Sequence, residues 1–181
     1  MIAERDLRNL WTSSLFIAIC LGSIPTHAKY GGGSGTADDP YHIWTAEEMD
    51  EINFYWEDQG KHFKLMADID LADYPADQYH SIDRFSGVFD GNGHTISHFT
   101  CTGGNNGVGL FGRVRDYVGG RNAVIKNLGL IDPNVHASQA SGAGCLVGYL
   151  WEGAVKDCYV SGGSITAYGG SGAWWESIER G

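Results

Sequence analysis

Gly109-Leu110-Phe111-Gly112, followed after a polar gap by Val124-Ile125-Lys126-Asn127-Leu128, returns further along the chain. The second version is Cys145-Leu146-Val147-Gly148, followed by Ala154-Val155-Lys156-Asp157-Cys158-Tyr159. A weaker first version runs Gly87-Val88-Phe89-Asp90-Gly91-Asn92-Gly93, then Thr95-Ile96-Ser97-His98-Phe99. Each unit reads as a short apolar strand, a glycine corner and a second short strand. Such a unit cannot bury its own apolar face, so it must stack on its neighbours, and the repeat predicts a β-solenoid.

Stacking buries only the inward side chains. In the second and third units these are expected to be Leu110, Ile125, Leu128, Leu146, Val155 and Cys158. Leu128 and Cys158 align, which places Cys158 in an apolar column. Glycine at the corners permits positive φ, so the chain can turn between faces without strain. Asp90-Gly91-Asn92-Gly93 is the strongest turn signal.

Upstream, Tyr41-His42-Ile43-Trp44 alternates as a first strand. Thr45-Ala46-Glu47-Glu48 reads as a capping box, with Thr45 as N-cap and Glu48 reaching back. Met49, Ile52 and Trp56, or alternatively Phe54 and Tyr55, then form an apolar stripe on a helix from Ala46 to about Trp56. Phe63 to Leu71 alternates with period two, its odd positions apolar or small, and predicts one strand with a wet face. Residues 73–84 read as a polar loop.

The first 28 residues have the layout of a secretory signal peptide. A polar lead precedes the largely apolar run Leu15 to Ile24, and small residues precede a cut after Ala28. The run is too short for a membrane span, which needs about 20 residues. The expected division is 1–28 signal peptide, 29–40 flexible lead-in, 41–84 strand, helix cap and first coil strand, 85–170 repeats, and 171–181 an atypical, truncated tail. Ser161 to Ala167 is expected as the last well-formed strand, beside a self-associating end with Trp174 and Trp175 exposed.

A formal net charge of −10 argues against nucleic acid and anionic membrane as partners. Cys101, Cys145 and Cys158 remain after cleavage, and an odd number leaves at least one without an intrachain partner. They read as small buried fillers. There is no His-Glu-x-x-His, no Gly-x-Ser-x-Gly and no phosphate loop, so no catalytic residue is assigned. His94 and His98 lie near a strand, where a spacing of four separates them by about 13 Å. Asp68 and Asp70 point to one side of their strand and are the calcium candidates, against a simpler reading as a solvated face. No cofactor is implied.

Gly144-Cys145-Leu146-Val147-Gly148, then Val155-Lys156-Asp157-Cys158-Tyr159 and Gly162-Gly163-Ser164-Ile165, resembles the GLUG motif. That motif repeats in bacterial secreted and surface proteins, including filamentous adhesins and the non-catalytic part of some IgA-cleaving metallopeptidases. The likeness covers residues 38–170. It implies an all-β fold: a short right-handed parallel β-helix of about three coils with an N-terminal capping helix. It also implies that Gly109, Leu110, Gly112, Gly144, Leu146, Val147, Gly148 and Cys158 are structural residues. Cys145 departs from the motif, which has a second glycine there, and Ala173-Trp174-Trp175 stands where another repeat is expected.

Two functional readings follow. The first is a secreted or cell-surface, non-catalytic solenoid module of adhesive or structural role, a piece of a larger protein. Its partners would be other solenoid segments, a cell-surface protein or a glycan. The second is a small carbohydrate-binding or carbohydrate-active β-helix, which an acidic pair meeting an aromatic groove would favour.

Overall fold

The computed structural model describes residues 29–74, 80–103, 107–116, 123–138 and 140–168. The signal-type leader and Trp174 and Trp175 lie outside the described residues. The elements in chain order are β1 (Tyr41–Ile43), α1 (Ala46–Phe54), a 3-10 turn (Trp56–Asp58), β2 (His62–Leu65), β3 (Ile69–Asp70), β4 (Val88–Asp90), β5 (Thr95–Ser97) and β6 (Thr100–Gly103). There follow β7 (Phe111–Arg115), β8 (Ala123–Lys126), β9 (Gly129–Ile131), β10 (Asn134–Ser138), β11 (Val147–Trp151), β12 (Gly153–Lys156), β13 (Tyr159–Ser161) and β14 (Ser164–Tyr168).

Strands pair with their counterparts one coil away, in the sheets β1-β2-β4-β8-β12, β3-β5-β9-β13, β6-β10-β14 and β7-β11. Every strand pairing among the described residues is parallel. The described residues form a β-solenoid of about three turns with one α-helix near the N-terminal end. The register builds apolar columns: Phe63, Phe89, Ile125 and Val155 on one face; Ile69, Ile96, Leu130 and Val160 on a second. Cys101, Val135 and Ile165 form the third, and Phe85, Val114 and Leu150 the fourth. Phenylalanines fill the axis, with ring centroids 5.3 Å apart for Phe85–Phe111 and 5.2 Å for Phe89–Phe111.

The two clear copies of the repeat pair directly. Phe111 faces Val147, the Leu110 amide donates to the Cys145 carbonyl (3.0 Å), and the Phe111 amide donates to the Leu146 carbonyl (2.8 Å). The weak first copy falls in a different phase. Val88-Phe89-Asp90 stacks on Val124-Ile125-Lys126, and Ile96 stacks on Leu130. The partner of Gly109–Gly112 in the first coil is the stretch around Ile82, which bridges to Phe111. That stretch has no glycines, and the Ser81 hydroxyl instead donates to the Gly109 carbonyl.

Gly93, Gly162 and Gly163 are corner residues with φ of 81°, 69° and 81°, but the glycines of the two clear repeat phrases are not. Positive φ falls on His98 (55°), Asn127 (53°), Asp132 (47°), Glu152 (57°) and Asp157 (51°), and not on Gly109, Gly112, Gly144 or Gly148. Those glycines allow backbones to touch: an added Cβ would sit 2.4 Å from the Gly144 oxygen at Gly109, and 2.3 Å from the Val108 nitrogen at Gly148. Asn, Asp and His tolerate the left-handed region because their short polar side chains bond locally.

The stretch Phe63–Leu71 is two strands on different faces rather than one, since the chain bends between Leu65 and Ile69. In α1 the Thr45 hydroxyl accepts the Glu48 amide (3.3 Å), and the Glu48 carboxylate accepts the Trp44 amide (2.7 Å). Ala46, Met49 and Ile52 bury against the first coil, while Phe54 and Trp56 are exposed because the helix ends at Phe54. The Asn53 side chain joins helix to coil: its amide nitrogen donates to the His80 carbonyl (3.1 Å) and its oxygen accepts the Asp83 amide (3.1 Å). The lead-in is anchored too, with Tyr30 buried and its hydroxyl 3.2 Å from Asp58.

Candidate functional site

The outer faces carry the polar chemistry, and the solenoid register decides which groups meet. Asp68 and Asp70 flank the start of β3, one coil below His94 and His98. The Asp68 carboxylate accepts the Thr95 amide (2.8 Å) and lies 3.2 Å from His94 Nδ1. Asp70 lies 2.6 Å from His98 Nδ1 and accepts the Ala72 amide (2.9 Å). These contacts hold both carboxyls below their ordinary range: the Thr95 amide chiefly for Asp68, the His98 ring chiefly for Asp70. The His98 imidazole is pushed up by its bond to Asp70, with a smaller push from Asp132.

Two further pairs bridge coils. Arg113 grips Asp83 through two nitrogens, the Nε contact at 2.7 Å. Asp90 receives Lys126 Nζ (3.0 Å) and the Asn127 side-chain amide (3.0 Å). Burial raises the Asp90 carboxyl, but the Asn127 and Lys126 donors outweigh it and leave it low. Asp50, buried on α1, accepts the His80 amide (3.0 Å).

These carboxylates are therefore committed to cross-coil bonds. Among the described residues no group of three or more His, Cys, Asp or Glu side chains converges as a metal cage. Sequence reading singled out Asp68 and Asp70 without seeing their histidine partners. The signal that finds them is the coil period, because His94 and His98 lie one coil beyond Asp68 and Asp70.

Gly109, Leu110, Gly112, Gly144, Leu146, Val147 and Gly148 lie in or just before β7 and β11, and Cys158 lies between β12 and β13. Leu110 is fully buried; Leu146, Val147 and Cys158 are half-buried against the core. Cys101, Cys145 and Cys158 are free thiols, each pushed up by burial. On the outside of β7 and β11 the Tyr149 and Trp151 rings lie 6.0 Å apart, and the Arg115 guanidinium sits 5.0 Å from the Trp151 ring.

Stacked parallel strands, apolar columns and outer-face cross-coil bonds define a β-solenoid module. No family model matches the chain. It is 36% identical over 132 residues to a protein of Evansella cellulosilytica named "Putative Gly-rich membrane protein", covering 67% of this chain and 14% of the relative. It is 33% identical over 141 residues to halomucin of Haloquadratum walsbyi, covering 74% of this chain and 2% of the relative. The chain thus spans a small share of these curated relatives. A solved structure described as a "putative immunoglobulin A1 protease" from Bacteroides ovatus matches with a TM-score of 0.49 and 20% identity, over 74% of this chain and 41% of that one.

Proposed function

We propose that this chain is a non-catalytic β-solenoid module of a secreted or cell-surface protein, with an adhesive or structural role. The observation that carries the reading is the use of its outer-face chemistry. Asp68, Asp70, Asp83 and Asp90 each bond a side chain or amide of the next coil, so these acids serve the stack. Catalysis of glycoside hydrolysis needs two carboxyls flanking a bound sugar, and these carboxyls are bound to partners instead.

Three further features support the reading. The names of the two relatives, a Gly-rich membrane protein and halomucin, describe no enzyme. The repeat phrase resembles GLUG repeats of surface proteins. Residues 1–28 have the layout of an export signal. No helix among the described residues is long and apolar enough to cross a membrane.

The test is to express the full chain with a C-terminal tag in a bacterial host, fractionate the cells, and assay the exported protein on a panel of polysaccharides. The expected result is protein outside the cytosol that releases no reducing ends above the uncatalysed blank. Retention in the cytosol with an intact Met1, or sustained turnover, would overturn the reading.

A further inference from the structure

Asp68, Asp83 and Asp90 are spent on bonds between coils, but two acids beside the helix are not. Glu47 and Asp73 accept no hydrogen bond and form no ion pair among the described residues. Both line a cleft of about 350 Å³ between the start of α1 and β3, together with Trp44, Ile69, Asp70 and Tyr74. That volume falls within the roughly 300–1,000 Å³ of small-molecule sites. Asp70 spends Oδ1 on the His98 ring and the Ala72 amide.

The aromatic walls of the cleft are held in place. Trp44 is 47% exposed, yet its amide donates to the Glu48 carboxylate (2.7 Å). Its indole lies on Gly31, where an added Cβ would sit 2.3 Å from Cδ1. Tyr74 packs against the core, and its amide donates to the Leu71 carbonyl (3.0 Å). Burial, with the charges of Asp50 and Glu47, pushes the Tyr74 phenol up. The chain leaves this wall at Tyr74 and is held again at His80, by Asp50 and Asn53 further along α1.

Fixed aromatics and uncommitted carboxylates select a ligand by its chemistry. A pyranose ring offers a face of C–H groups to an indole and hydroxyl donors at its edge to carboxylates. A metal ion would need the acids to converge, and no group of three converges among the described residues. No Lys or Arg among the described residues lines the cleft, so an acidic sugar or a phosphate finds no counter-charge there. Trp and Tyr give a large contact area with few rotatable bonds, and their fixed placement lowers the cost of binding.

We propose that this cleft binds a neutral sugar ring of a glycan, stacked on Trp44 with its hydroxyls donating to Glu47, Asp70 and Asp73. The proposal deepens the surface-module reading, on which its biological role rests, by naming the class of partner the module holds.

The test is isothermal titration of the purified full chain with short linear oligosaccharides of glucose, mannose, galactose and xylose, with reducing ends assayed in the same samples. The expected result is binding of at least one of them, with a change in tryptophan emission and no release of reducing ends. Trp44→Ala should weaken binding about tenfold or more while keeping the wild-type circular dichroism. If that variant does not fold, Glu47→Gln/Asp73→Asn is read in its place. It alters two carboxylates that bond no described residue, and should weaken binding about threefold or more. Trp56→Ala, at an exposed tryptophan that does not line the cleft, should leave binding unchanged. Absence of binding across the panel would overturn the proposal. So would binding that survives both cleft variants, or binding of a lysine-rich peptide and none of the sugars. Binding that both cleft variants weaken, accompanied by sustained turnover, would support the site and overturn the non-catalytic reading instead.

Discussion

Leu128 and Cys158 occupy the same corner of successive coils. Gly129 and Tyr159 are register partners, and the Tyr159 amide donates to the Leu128 carbonyl (3.1 Å). Leu128 is buried, with a coil on either side; Cys158, on the last coil, is half open. Leu128→Ala should then cost about 2–5 kcal/mol, as for a buried leucine. Cys158→Ala should cost less than about 1 kcal/mol, since it removes one half-open atom. Urea denaturation of both variants checks this, and equal losses would contradict the difference in their surroundings.

Glycine variants should separate close approach from backbone conformation. At Gly148 a Cβ would meet the Val108 backbone nitrogen at 2.3 Å, so Gly148→Ala forces two coils apart. The expected loss is about 1–3 kcal/mol or more. At Gly93 nothing lies within 4 Å of an added Cβ, and only the positive φ of 81° opposes substitution. Gly93→Ala should cost about 1–2 kcal/mol through strain alone. Gly93→Asn should recover most of that loss, because Asn tolerates the left-handed region, whereas Gly148→Asn should not. The melting midpoints of the four variants decide it.

The bond between His98 and Asp70 makes stability depend on pH. The His98 pKa is raised above its ordinary 6.5, so its contribution is fully present below that value and is lost as pH rises through the folded-state pKa. The Asp70 pKa is lowered below its ordinary 3.8, so its contribution is present above that value and is lost as pH falls through the folded-state pKa. The pair therefore acts between these limits. The melting temperature of His98→Asn, a residue that accepts φ near 55°, should fall below wild type in this window and converge with it at alkaline pH. A gap that stays constant with pH would assign the loss to packing.

Asn53 should be the helix's fastening. Asn53→Ala deletes a donor to the His80 carbonyl and an acceptor for the Asp83 amide, a cost of about 1–3 kcal/mol. Hydrogen exchange should show the Met49 and Ile52 amides losing protection before those of β8. Uniform loss across the chain would show that helix and coils open as one.

Export should release a chain beginning at Lys29, which mass spectrometry of the secreted product reads directly. Such a chain keeps Lys29 Nζ beside Asp58 (2.5 Å) and Tyr30 in its buried site. A product that begins downstream of Tyr30 would lose both contacts and refute the assigned cut.

Stacking was legible in the sequence because apolar columns demand the same residue type at the same place in each coil. Gly109–Gly112 and Cys145–Gly148 align in sequence and pair in space. The capping box and the Met49–Ile52 stripe were legible for the same reason, since local rules sufficed. The phase of the first coil was not. Gly87-Val88-Phe89 imitates the repeat phrase, but the position it resembles is held by Ile82, next to a serine that does by hydrogen bonding what glycine does by absence. Glycine holds only some of the corners: Gly93, Gly162 and Gly163 have positive φ, while Asn127, Asp132, Asp157 and His98 reach the same region with side chains attached. The Asp–His pairs were hidden for a different reason. Each joins residues 26 or 28 apart, a distance set by coil length and not by any local pattern.

The helix that closes one end gives the molecule a direction. In a stack where each layer contacts only its neighbours, loss of order spreads inward from whichever layer is least supported. Beneath α1 the first coil is held by a lid and by Phe63 and Phe85; at the far end β11 to β14 have a neighbour on one side alone among the described residues. Where nothing covers that side, the stack should lose order from β11–β14 first, one layer at a time. Anything seated on the last described coil then acts as a brake on unravelling.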